Sequence, residues 1–98
     1  MELRNASVDA LLDGLMSLRT ADECYAFLQD LCTIKELQDM AQRYEAARLL
    51  DEGASYQKIV ERIGISTTTI GRVNRCLHYG SGGYRLVLDR MREKGGKE

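Results

Sequence analysis

The apolar residues between Tyr56 and Arg75, YQKIVERIGISTTTIGRVNR, fall at helical spacing on two short segments either side of Gly64. Ile59, Val60 and Ile63 share one face of a first helix, and Ile65, Ile70 and Val73 are placed to close over them from the turn and a second helix. Gly64 stands where the first helix must stop and the chain must turn sharply, which needs a residue tolerant of positive φ. Ser55 and Ser66 are the N-caps this reading predicts. The segment 55–77 therefore reads as a helix-turn-helix whose second helix keeps one face open to a partner.

The same three-and-four spacing runs through the rest of the chain. Val8, Leu11, Leu12 and Leu15 line a first helix opened by Asn5 or Ser7, with Met16 and Leu18 widening the stripe. Thr20 to Glu23 and Thr33 to Glu36 are T-x-x-E boxes. The first opens a helix carrying Tyr25, Phe27, Leu28, Leu31 and Cys32. The second opens the longest helix, with Leu37, Met40, Ala41, Tyr44, Ala47 and Leu50 as its stripe and Gly53 near its end. After Leu77 the run HYGSGGY is a glycine-rich joint lacking the lysine and hydroxyl of a phosphate-binding loop. A last helix carries Tyr84, Leu86, Val87, Leu88 and Met91. Proline is absent and no strand-length alternation occurs. The prediction is an all-α chain of six helices in one domain, residues 1–98, with a disordered tail at 94–98.

Charge changes this picture more than composition does. The formal net charge of −1 argues against a nucleic-acid partner, but residues 1–57 carry a net −6 and residues 58–98 a net +5. The basic half contains the helix-turn-helix, as expected of a DNA-reading end on an acidic scaffold. There is no apolar run long enough to span a membrane and no leader-like start, so a cytoplasmic protein is expected. Cys24, Cys32 and Cys76 form neither a disulfide framework nor a CxxC pair and are read as buried apolar residues. With the single His78 they make no zinc site unless two chains share ligands, and neither metal nor cofactor is expected.

The second helix of the motif offers Thr67, Thr68 and Gly71 outward, with Arg72 and Arg75 behind them and Ser66 at its start. These residues suit a helix set in the major groove, where hydroxyls and arginines reach phosphates and base edges. Three consecutive threonines do not define an operator sequence. Catalysis is not expected: His78 lacks a nucleophile or acid partner at any argued spacing, and the carboxylate pairs Asp22/Glu23 and Asp51/Glu52 are read as solvated helix ends. The first two helices and the last are apolar on more than one face, which predicts a homodimer of interleaved helices. The alternative reading is a helical protein–protein interaction module without direct DNA readout.

The stretches LCTIKELQDMAQRYEAARLLDEG and SYQKIVERIGISTTTIGRVNRCLHYGSGGY resemble the Trp repressor superfamily, and in particular its YerC/YecD-type Trp repressor-related branch. The resemblance covers nearly the whole chain. It implies a six-helix chain, an intertwined homodimer and transcriptional control through double-stranded DNA. Carried over by position, Thr67, Thr68 and Gly71 match base-facing residues of the family. Thr69 and Arg72 match residues of the effector pocket, and Arg43 matches an arginine that approaches the ligand from the other chain. Val73 stands where the tryptophan-binding members have glycine, and its branched side chain occupies space the indole needs. The resemblance thus implies a repressor-like regulator that does not respond to tryptophan, with any other small-molecule corepressor unidentified.

Overall fold

A helix start leaves backbone N–H groups without intrahelical partners, and in this chain side-chain oxygens take them up. The computed structural model describes residues 4–95. Its helices are α1 (Ala6–Met16), α2 (Ala21–Leu31), α3 (Ile34–Asp51), α4 (Tyr56–Ile63), α5 (Thr67–Tyr79) and α6 (Gly83–Gly95). Asn5 caps α1 by accepting from Val8 N at 2.9 Å. Thr33 and Glu36 close a complete box, with Thr33 Oγ1 accepting from Glu36 N at 3.0 Å and Glu36 Oε1 from Thr33 N at 2.8 Å. At α2, Thr20 Oγ1 accepts from Glu23 N at 3.1 Å, but the Glu23 carboxylate turns to the N–H of Arg19 instead of Thr20. The all-α expectation holds among the described residues. Lys94 and Gly95 belong to α6, which corrects the disordered tail expected from 94; positions 96–98 lie outside the described residues.

The chain divides between residues 37 and 38 into two compact units. In the first, α1 and α2 bury no residue outright. A Cβ placed on Gly14 would stand 4.0 Å from the Phe27 ring. Leu11, Leu12, Leu15, Met16, Tyr25 and Leu31 all remain exposed.

The second unit holds the core. Ala46, Ala47 and Leu49 of α3, Ile59 of α4, Ile70, Val73 and Leu77 of α5 and Leu88 of α6 form one buried cluster. Tyr44, Leu50, Val60, Ile63, Ile65 and Tyr84 pack against it half-buried. The α3 stripe differs from the expected one: the buried row is 46, 47 and 49, while Met40 and Ala41 are exposed. Small side chains carry that row, and a reading weighted toward large apolar residues passes over Ala46. The cysteines also differ from expectation. Cys24 and Cys76 are exposed and Cys32 is half-buried, because α2 buries nothing outright and Cys76 lies off the α5 row formed by residues 70, 73 and 77.

Two glycines shape the joints. Gly64 ends α4 at φ 85°, in the left-handed region, and its N–H donates to Val60 O at 2.9 Å. At Gly80 an added Cβ would run into the Cys76 carbonyl, so position 80 of the α5–α6 joint admits no side chain unless the backbone moves.

Asp51, read from sequence as a solvated helix end, is an anchor. Its two carboxylate oxygens accept from Arg85 Nη1 and Nη2 at 2.8 Å each, and Arg92 also pairs with it. Its side chain is only 14 % exposed. Arg85 Nε further bonds Asp89 at 3.0 Å. The bidentate pair fixes the end of α3 to α6. The Arg85 guanidinium, outweighing burial, holds the Asp51 carboxyl below the usual range. A carboxylate depressed in the folded state contributes stability that is present above its unfolded value near about 4 and lost as pH falls through the folded value. Asp51→Asn should therefore unfold at lower urea than the parent at about pH 7, and the gap should narrow below about pH 4. A gap constant down to pH 3 would contradict this role.

Candidate nucleic-acid interface

α5 owes its outward face to the way its inner face is consumed. Ile70, Val73 and Leu77 recur at three and four and are buried, so residues on the opposite side face solvent. Thr67, Thr68, Arg72 and Arg75 are exposed and Gly71 is half-buried. Together with Tyr56, Asn74 and Tyr79 they line one open groove of about 710 Å³. Of the residues expected to bind DNA, only Ser66 stays out of its lining. The Ser66 hydroxyl builds the helix start: its oxygen accepts from Thr69 N at 3.1 Å, and its proton goes to Thr69 Oγ1 at 3.1 Å.

Tyr56, Asn74 and Tyr79 were not singled out from the sequence. Asn74 lies seven residues after Thr67 and three after Gly71, a spacing that puts it on the same helical face. Tyr56 is the first residue of α4 and reaches the groove only because the turn at Gly64 folds α4 against α5.

The cations of the basic half are not equivalent. Arg85 and Arg92 are committed to Asp51 and Asp89. Arg48, on α3, is committed to Glu45 and Glu52. Among the described residues no carboxylate lies within salt-bridge distance of Arg72 or Arg75. The groove therefore gathers two arginines whose charge is left for an external anion. His78, in the last turn of α5, is exposed.

Of the positions expected to form an effector pocket, Thr69, Arg72 and Val73 follow within about one turn of α5, and Arg43 lies on α3. Val73 is 2 % exposed in the core, and Thr69 is half-buried and bonded to Ser66. Arg72 lines the α5 groove. Arg43 lies beside the Tyr84 hydroxyl, whose pKa burial pushes up against the opposing influence of Arg43. Tyr84 lines a separate, largely apolar cavity of about 490 Å³ with Tyr44, Cys76 and Val87. Among the described residues no His, Cys, Asp and Glu group is placed to hold a metal ion, and no helix is long and apolar enough to cross a membrane.

Known proteins share this fold. The family model described as Trp repressor protein matches residues 6–92. The chain is 50 % identical over 92 residues to the uncharacterized protein YerC of Bacillus subtilis (strain 168), covering 94 % of this chain and 88 % of that protein. Its fold is similar to the crystal structure of a putative Trp repressor from Staphylococcus aureus, with a TM-score of 0.87, 42 % identity and coverage of 92 % of this chain and 90 % of the other. A TrpR like protein from Eubacterium eligens ATCC 27750 gives a TM-score of 0.84 at 43 % identity, over 97 % of this chain and 94 % of its own.

Gly71 lies within α5, where glycine costs helix stability, yet a Cβ there would meet nothing within 4 Å. Gly71→Ala is therefore expected to stabilise the fold by roughly 0.5–1 kcal/mol, read as a higher denaturation midpoint. A destabilised variant would mean that the glycine serves the fold and not the groove.

Proposed function

Because the chain belongs to the Trp repressor protein family, and within it to the YerC-type Trp repressor-related proteins, we propose that it is a sequence-specific DNA-binding regulator of transcription, repressor-like and homodimeric. α5 enters the major groove. The observation that carries this reading is the pair Arg72 and Arg75, unpaired on the outer face of α5 beside exposed Thr67 and Thr68. A 13-residue helix spans roughly 20 Å, enough to lie along several base pairs. Thr67, Thr68 and Gly71 approach base edges. Arg72 and Arg75 take phosphates, and Ser66 sets the start of the helix that presents them.

The homodimer is supported by the apolar surface left bare on α1 and α2, and by Leu86, Val87 and Met91 on α6. A second copy of the chain covers these faces and sets two α5 helices a fixed distance apart. Sites about one turn of duplex apart, roughly 34 Å, then make the operator a palindrome.

Tryptophan is not the switch in this reading. Val73 fills the core at 2 % exposure, and a planar indole beside it would overpack the contact at a cost of about 1–3 kcal/mol. Any effector pocket that draws on Thr69, Arg72 and Val73 depends on Arg43 of the second copy.

Selection of bound duplexes from a random pool, followed by titration of the enriched site, tests the function. Binding should fall steeply with salt, and Arg72→Ala or Arg75→Ala should weaken all sequences and flatten the log–log salt slope by about one phosphate contact each. A slope near zero, or no enriched sequence, would contradict it. Sedimentation at micromolar concentration should give about twice the chain mass, whereas a cooperative monomer would remove the interleaved dimer. Calorimetry with L-tryptophan should give no tight binding and no change in duplex affinity; tryptophan-dependent binding would overturn the role given to Val73.

A further inference from the structure

The α5 groove contains one side chain suited to reading a specific base that the proposed function leaves unused. Asn74 is half-buried on the groove wall, and no hydrogen bond or ion pair among the described residues engages its carboxamide. Both its donor and its acceptor remain available. Thr67, Gly71 and Asn74 succeed one another along one face of α5 over about 10 Å of axis, or about three base-pair steps of 3.4 Å. Between the two polar side chains lies Gly71, where even a Cβ would point into open space. A base edge can come closer to the α5 backbone there than anywhere else on this face. Tyr56, from the start of α4, stands in the lining of the same groove.

A carboxamide presented across such a gap has one strong match on duplex DNA. Adenine offers an acceptor at N7 and a donor at N6 in the major groove, and the asparagine side chain meets both at once. Hydroxyls such as those of Thr67 and Thr68 donate or accept indifferently and discriminate poorly. We propose that Asn74 is the specificity-determining residue of this interface, reading an adenine in each half-site through the gap that Gly71 leaves. This rests on α5 being the DNA-reading helix.

Competition binding with the selected duplex and its single-base variants, using the full chain and Asn74→Ala, tests it. The wild-type protein should prefer adenine at one position per half-site by on the order of ten-fold or more. Asn74→Ala, which replaces a half-buried side chain engaged in no hydrogen bond by the better helix former and should fold as the parent does, should bind all four bases at that position alike and keep the same salt slope. Gly71→Ala should lower the same preference while raising the denaturation midpoint. An unchanged base profile in Asn74→Ala would overturn the inference and leave the proposed function standing. So would a uniform loss over all sequences with a shallower salt slope, which would make Asn74 a phosphate contact. If the wild-type protein binds no duplex selectively, the function and this inference fall together.

Discussion

The closure of Ile59 of α4 over Ile70 and Val73 of α5, with Ala46 and Ala47 of α3 beneath, is the contact on which the second unit depends. A core of so few side chains cannot tolerate a loose turn. The chain reverses between α4 and α5 through Gly64 in the left-handed region and restarts at once at Ser66, whose hydroxyl is wholly spent on Thr69. This economy gives α5 its orientation: one row of apolar residues faces inward, so its other side must face out. The groove residues are those left over once the core is satisfied.

Charge follows a similar division of labour. The +5 excess of the C-terminal part overstates what is available to an anion, because Asp51 draws Arg85 and Arg92 into a network that ties α6 to the end of α3. Arg85 and Arg92 of α6 serve the fold, and the arginines of α5 serve the proposed interface. Net charge per segment thus points to the right half of the molecule but not to the right residues.

The parts of this structure legible in the sequence are the local ones. Ser55, Ser66, Thr20 and Thr33 announce helix starts because capping joins residues three apart. Gly64 announces the turn, and Ile59, Ile70 and Val73 lie on faces that helical period alone defines. What the sequence hid is long-range or small. Asp51 meets Arg85 and Arg92 from 34 and 41 residues away, and no local pattern marks that pairing. Ala46 is buried despite weak hydrophobicity, since its worth lies in letting helices approach. Cys24 and Cys76, typed as buried by composition, are exposed because the faces they occupy have no covering element in one chain. Tyr56 joins the groove through the fold of the turn, whereas Asn74 could have been found by extending the Thr67–Gly71 face by one turn.

In the proposed function DNA lies against the outer face of α5 and a second copy of the chain against the apolar faces of α1, α2 and α6. Amide chemical shifts followed while an isotope-labelled sample is titrated with the selected duplex separate the two surfaces directly. The largest changes are expected along Thr67–Arg75 and at Tyr56, with Leu11, Leu15, Tyr25 and Met91 scarcely moved. Changes concentrated on those apolar faces, with Thr67, Thr68 and Gly71 silent, would contradict it.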